Sequence, residues 1–455
     1  MTQSRSFKQT AAAPQRAAGL ALLAMLSFVT ALWPSLAGAV LPIEHWTTPA
    51  GARVYFVRAP SIPMLDISIG LDAGARYDPP GKEGLASMTN AMLAKGVEGL
   101  DESAIAERLA MVGAERGGGA GDDRASLTLR TLSSPQELET GVATLQLMLS
   151  RPSFPEQILA REKERSAQSL REAQSKPGNI ARRAFNQALY GTHPYGRDAT
   201  PESIMAIGRD ELLAFWRDNY TASRAVVSMI GAISREQAEQ IAERLTAGLP
   251  AGAPAASVPE VARIEQGIDR RIEHPSTQSH ILIGVPAIAW GDPDRYALLV
   301  GNYVLGGGGF VSRLYDEVRE KRGLAYSVYS YFSPSLQPGP FTIGLQTARE
   351  QTGTALQVVR DTLERFLKDG PTEQELAAAK ANLVGGFALR IDSNRKILDY
   401  LSLIGSYGLP LDYLDRWPDR VSEVTLQQVR DAFSRHVRQP SLSTIVVGDG
   451  KAPGK

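Results

Sequence analysis

Two stretches of the chain that begin 217 residues apart (424 − 207) end in the same way. Ile204 and Ile207 are spaced like Val421 and Val424. Each pair leads into a helical segment with one aromatic, Phe215 or Phe433, and then into an apolar strand that closes on Gly231 or Gly448. Ile207–Gly231 and Val424–Gly448 both span 24 residues (231 − 207 and 448 − 424). Between them lies PAGAPAASVP, Pro250–Pro259, whose prolines and small side chains offer nothing with which to build a core. A repeat of this size is too long for a solenoid, in which each repeat is one small supersecondary unit. It points to a duplicated domain, and 455 residues are too many for one ordinary core.

The expected divisions are a targeting segment 1–39, an N-terminal domain 40–249, a linker 250–262 and a C-terminal domain 263–450. Alternation and β-forming residues place strands at 54–57, 65–71, 125–132, 225–230, 280–285, 325–332 and 341–345. Helical spacing marks 84–94, 103–112, 136–149, 154–173, 179–190 and 210–220, then 295–305, 351–367 and 372–387. Gly117–Gly121 reads as a loop. Strands and long helices that segregate in this way predict an α+β fold: two duplicated domains, each a mainly antiparallel sheet with helices packed on one face.

Residues 1–39 carry a leader pattern. Arg5, Lys8 and Arg16 precede an apolar stretch, Ala17 to Trp33, and Ala37-Gly38-Ala39 is an A-x-A cleavage site. The expectation is an exported, soluble, periplasmic protein; retention of the segment as an anchor is the alternative. Lys+Arg and Asp+Glu both number 49, so no basic excess argues for nucleic acid. The absence of Cys removes disulfides and thiolate metal sites together.

One run carries chemistry: LGGGGFVSRLYDEVREKRGLAYSVYSY, residues 305–331. It reads as flexible loop, helix, turn and strand. Val311, Leu314, Tyr315 and Val318 recur at helical spacing and Gly323 ends the helix. Arg319 falls on the last turn and Tyr326 at the strand start. Arg offers a permanent charge and a rigid fork of donors. A Tyr hydroxyl can stabilise a developing oxyanion. Equally, Arg319 suits a surface charge and Tyr326 a core aromatic. Gly306, Gly307, Gly308 and Gly309 suit a permissive turn.

The 305–331 run resembles the second-half signature of the insulinase/pitrilysin-type metallopeptidases, which include the mitochondrial processing peptidase and bacterial relatives. Gly81-Lys82-Glu83-Gly84-Leu85-Ala86 and Met92-Leu93-Ala94-Lys95-Gly96 resemble the segments that flank the zinc motif of that family. The resemblance covers essentially the whole mature chain. It implies an inverted His-x-x-Glu-His helix whose imidazoles bind Zn²⁺ and whose Glu activates water. Here Ser87, Asn90 and Ala91 stand at those three positions. Ser and Ala do not ligate as imidazole does, and Asn is no general base. The resemblance places the downstream ligand near 169–172, where Glu172 is the candidate; beside Arg171 it also reads as a solvated helical charge, and one carboxylate does not make a site. None of the five histidines pairs with another at i,i+4.

The resemblance further implies that Arg319 and Tyr326 reach over a zinc site to bind substrate backbone and oxyanion, and that Gly306–Gly309 contact peptide. The expected function is therefore a non-catalytic subunit of an exported zinc metallopeptidase heterodimer. No zinc is expected in this chain. It is expected in a homologous partner subunit, with unfolded peptides as substrate. A purely structural or binding role and a self-sufficient zinc endopeptidase are the alternatives.

Overall fold

Val, Ile and Leu crowd the segments that become the central strands, and they form two sheets. A computed structural model describes residues 42–252 and 256–449. The expected targeting segment 1–39 and residues 253–255 of the expected linker lie outside the described residues. The first sheet contains β1 (Glu44–Thr47), β2 (Arg53–Arg58), β3 (Met64–Leu71), β4 (Glu115–Ala120), β5 (Ala125–Leu132) and β6 (Ala225–Gly231), in the order β1-β2-β6-β3-β5-β4. The second contains β7 (Asp269–Glu273), β8 (Gln278–Ile288), β9 (Ala325–Phe332), β10 (Gly339–Ala348) and β11 (Ser443–Gly448), in the order β9-β10-β8-β11-β7.

Apart from β1, the two sheets match strand for strand: β2-β6-β3-β5-β4 against β7-β11-β8-β10-β9. In each, the first pair is parallel and the rest antiparallel. The duplication inferred from the 24-residue spacing is thus present in the topology, and both sheets are mainly antiparallel.

Every residue of β6 and of β11 is buried. A strand buried along its whole length needs cover on both faces. One face carries helices of its own half. The other receives a single helix from the opposite half. Pro177–Tyr190 packs on β8 and β11, and Asn394–Tyr407 packs on β2, β3 and β6. Phe185 and Leu189 join Ile445 and Val447 in one cluster. Asn394–Tyr407 approaches so closely that a Cβ on Gly405 would stand 2.4 Å from Val226 and 2.7 Å from the Tyr55 ring. This reciprocal exchange explains why both halves fall in one compact unit.

Two expectations change. Gly117–Gly121 is not a loop: Glu115–Ala120 is the edge strand β4, with Gly117 opposite Thr128 and Gly119 opposite Ser126. Backbone hydrogen bonds to β5 hold it without side-chain burial, so its composition resembles a loop. The helix expected over 295–305 ends at Asn302 and continues as a wider π-helical turn, Tyr303–Gly307. No described helix is long and apolar enough to cross a membrane.

Candidate functional site

The strand-for-strand match makes β4 and β9 equivalent edges of the two halves. In the first half, the helix Leu85–Met92 packs against β4 and β5. Its N-terminus is fixed by Asp78, whose carboxylate accepts from the Gly84 N–H (2.7 Å) and the Ala86 N–H (2.8 Å). Burial nonetheless pushes the Asp78 carboxyl up to about 6. Leu85, Ala86, Met88, Thr89 and Met92 face the core. Ser87 and Ala91 therefore point outward and are exposed.

Asn90 is tied down. Its amide donates to the Ser126 carbonyl (3.2 Å) and to the buried Tyr220 hydroxyl (3.3 Å). Glu172 is exposed and accepts from Gln168 (2.9 Å). One hydroxyl, one amide and one methyl do not make the nitrogen and oxygen donor set that zinc requires. These residues do not fit the metal.

Among the described residues, three metal-capable side chains converge elsewhere, at Asp292, Asp294 and His436. There Arg435 already grips Asp294 through two hydrogen bonds (2.8 and 2.6 Å), and His436 contacts the Ala287 carbonyl (2.7 Å) and Asp294 (3.0 Å). This is an ion-pair network that knits a helix to a loop. Its partners are 142 residues apart, so no spacing in the sequence reveals it.

In the second half, Arg319 and Tyr326 come together. Arg319 lies in a widened turn, Asp316–Glu320, closed by the Lys321 N–H to the Asp316 carbonyl (2.9 Å). Such π-helical turns occur often at functional sites. The Arg319 Nη1 donates to the Tyr326 carbonyl (2.9 Å). Its guanidinium lies 4.7 Å from the Tyr326 ring centroid and 4.9 Å from that of Tyr315.

The strand is bulged at this point. Ala325 pairs with Thr347 and Val328 with Leu345, so β9 has one residue more than β10. A bulge re-aims side chains. Tyr326 is turned outward, 83% exposed. It is not a core aromatic, and Arg319 is not a free surface charge.

The glycine run is not an open loop. Gly306 is buried, and a Cβ there would stand 2.5 Å from Ser330 Oγ and 2.7 Å from its backbone nitrogen. A Cβ on Gly307 would stand 2.5 Å from the Asn302 amide, and one on Gly308 2.6 Å from the Tyr303 carbonyl. Gly309 alone of the four has open space around it, at φ +61. The run spans the end of the π-helical turn and a 3-10 turn, Gly309–Val311, and packing crowds three of its four glycines.

Two features were missed by sequence reasoning. The Ser330 hydroxyl donates to Asn302 Oδ1 (2.6 Å), and Asn302 Nδ2 donates back to the Ser330 carbonyl (2.9 Å). This buried reciprocal pair joins the helix before the glycines to β9. The available signal was a polar residue inside each apolar pattern. Arg313, in the same run, makes a two-pronged bond to Glu375 (2.7 and 2.6 Å) and a third to the Gly370 carbonyl (2.9 Å). The Arg313 guanidinium, with help from Thr372, holds the Glu375 carboxyl down at about 2.

Tyr326, Tyr329 and Tyr331 all present exposed surface along the β9 edge. Tyr326 and Tyr329 line a groove of about 560 Å³ between the second sheet and the helix Pro177–Tyr190, with His280, Arg182 and Gln346.

Two duplicated α+β halves, with a first-half helix that offers no zinc ligand set, match the class that the sequence resembles: a metallopeptidase-type fold without the motif. Residues 53–200 match the insulinase family (peptidase family M16), and residues 206–383 match the peptidase M16 inactive domain. The crystal structure of a peptidase M16 inactive domain from Pseudomonas fluorescens is 37% identical, covers 91% of this chain and 99% of its own, and superposes with a TM-score of 0.87. An uncharacterized zinc protease of Streptomyces coelicolor is 27% identical over 418 residues, 89% of each chain. A Helicobacter pylori relative described as the non-peptidase homolog YmxG is 26% identical over 399 residues, 86% of this chain and 90% of its own. The chain belongs to peptidase family M16, the insulinase family, as a member lacking the active motif.

Proposed function

We propose that this protein is the non-catalytic subunit of an exported zinc metallopeptidase heterodimer. It binds unfolded peptide and supplies Arg319 and Tyr326 to a zinc site held by a homologous partner chain. The observation that carries the reading is a contrast between the two halves. The helix Leu85–Met92 offers no ligand set, while the β9 bulge presents a Tyr hydroxyl beside a guanidinium in solvent. The name of the Helicobacter pylori relative supports a non-peptidase role. The leader pattern in 1–39 supports export to the periplasm. The exposed edge β4, whose burial pattern is open at nearly every residue, suits an added peptide strand, since an edge offers unpaired backbone donors and acceptors.

Purified protein mixed with the zinc-bearing partner should switch on peptide cleavage. Tyr326→Phe should lower that activity tenfold or more, about 1.4 kcal/mol of transition-state stabilisation per decade. Wild-type activity in both Tyr326→Phe and Arg319→Ala would sink the catalytic contribution. That outcome would leave a second reading, a structural or binding subunit, which one contact favours: Arg319 already donates to the Tyr326 backbone.

A further inference from the structure

The helix Asn394–Tyr407 covers the open face of the first sheet but does not fill it. At its C-terminal end, beside Ser406 and Tyr407, a cavity of about 600 Å³ lies between the two halves. That volume suits a small ligand. Its charged lining is Arg53, Asp72, Arg76, Asp123, Arg124 and Arg224, four cations against two anions.

The two carboxylates are largely satisfied within the protein. Asp72 accepts from Arg76 and from the Tyr77 hydroxyl (3.1 Å). Asp123 accepts from the Tyr195 hydroxyl, the Leu336 N–H (2.9 Å) and the Tyr407 hydroxyl (3.4 Å). Of the cations, Arg224 donates to Asn219 Oδ1 (3.2 Å), while the other three are not satisfied to the same degree. Arg76 is 9% exposed, yet its Nε and Nη1 have no hydrogen-bond partner among the described residues, Asp123 being 3.8 Å from Nη1. Arg53 makes no side-chain hydrogen bond or ion pair among the described residues. Arg124 donates once, to the Ser402 carbonyl (3.2 Å), and lies over the Tyr407 ring (5.3 Å).

A buried guanidinium with unused donors is costly unless something accepts from it. We propose that this cavity binds a ligand bearing a carboxylate or phosphate group. The oxyanion meets Arg76 and Arg53, and the rest of the ligand lies against Leu71 and Val226. A planar fork of N–H donors matches such oxyanions in geometry, and partial burial strengthens the attraction. A metal cation would face the surplus of positive charge. A wholly apolar ligand would leave the Arg76 Nε and Nη1 without acceptors. The sheet residues of this site come from β2, β3 and β6, not from the β4 and β9 edges, so the inference does not depend on peptide cleavage.

Titration calorimetry of the full chain tests it with four probes: succinate, inorganic phosphate, a short peptide with a free C-terminus, and the same peptide amidated. At least one free-acid probe should bind with a Kd of about 1 mM or tighter. Preference for the free over the amidated peptide identifies a chain terminus as the source of the carboxylate. Binding of succinate or phosphate alone identifies a free anion. Arg53→Gln should weaken binding tenfold or more without shifting the unliganded melting temperature, and Arg165→Gln, on the far-exposed surface of another helix, should change nothing. Absence of heat with every probe at about 10 mM, or binding that survives both Arg53→Gln and Arg124→Gln, would overturn the assignment.

Discussion

The reciprocal pair Asn302–Ser330 is the contact on which the geometry of the β9 edge most depends. Asn302 is 8% exposed and Ser330 2%. Two hydrogen bonds, 2.6 and 2.9 Å, join them, and the Asn302 amide also lies where a Cβ on Gly307 would stand. Asn302→Ala removes both bonds and leaves the Ser330 hydroxyl without an acceptor in a site closed to water. Each lost bond is worth about 1 kcal/mol net, and an orphaned buried group costs about 1–3 kcal/mol more. The expected loss is about 3–5 kcal/mol. Ser330→Ala removes one bond and should cost about 1–2 kcal/mol.

A double-mutant cycle separates the pair from its surroundings. Once Asn302 is gone the Ser330 hydroxyl has nothing left to lose, so the double mutant should be less destabilised than the sum by about 1–2 kcal/mol. Urea denaturation followed by tyrosine and tryptophan fluorescence gives the four stabilities. Unchanged m-values show that the compactness of the unfolded chain is not the cause. Additivity within about 0.5 kcal/mol would refute the coupling. With it would fall the claim that a polar clamp seats the glycine run against β9.

Gly405→Ala places a methyl 2.4 Å from Val226 and should destabilise by about 1–3 kcal/mol through overpacking; a thermal melt within error of wild type would mean the exchanged helix is not held so close. Glu375→Gln tests the anchor of Arg313. The Glu375 carboxyl is held at about 2, below its ordinary 4.5, so its contribution is present above 4.5 and is lost as pH falls from 4.5 toward 2. Wild type and Glu375→Gln should therefore differ by about 1–2 kcal/mol near neutrality, after discounting for partial exposure, and converge in acid. A gap that does not narrow on acidification would remove the ion pair as its cause.

Much of the fold is legible in the sequence for a simple reason. The segments that close each half, Ala225–Gly231 and Ser443–Gly448, are buried on both faces, so both keep a mainly apolar run at the same spacing. Burial leaves a mark; backbone pairing does not. The edge strand β4 is ERGGGA and fully loop-like in composition, because its hydrogen bonds to β5 ask nothing of its side chains. The helix exchange is hidden for a related reason. The apolar stripes of Pro177–Tyr190 and Asn394–Tyr407 report that one face is covered, not which sheet covers it. The glycines at 306–309 mislead most. Glycine is required both where the chain must move and where it has no room for a Cβ, and the sequence is the same in both cases.

Stability also separates the two residues of the candidate site. Arg319 has a structural reason to be present, since its guanidinium closes onto the Tyr326 carbonyl and lies against two aromatic rings. Arg319→Ala therefore loosens the bulge as well as removing a charge, and a drop in paired activity from it alone has two explanations. Tyr326 differs. Its ring is 83% exposed, and its hydroxyl makes no hydrogen bond among the described residues. Removing an exposed, unpartnered hydroxyl should change stability by no more than about 0.5 kcal/mol. Tyr326→Phe is thus the discriminating substitution: it keeps the bulge, the ring and the stacked guanidinium, and deletes one donor aimed at solvent. Loss of paired activity at unchanged stability would have to come from that donor. A stability loss of 1 kcal/mol or more, of the order of a typical point mutation, would show instead that the hydroxyl is tied into the fold and that the edge is not open as described.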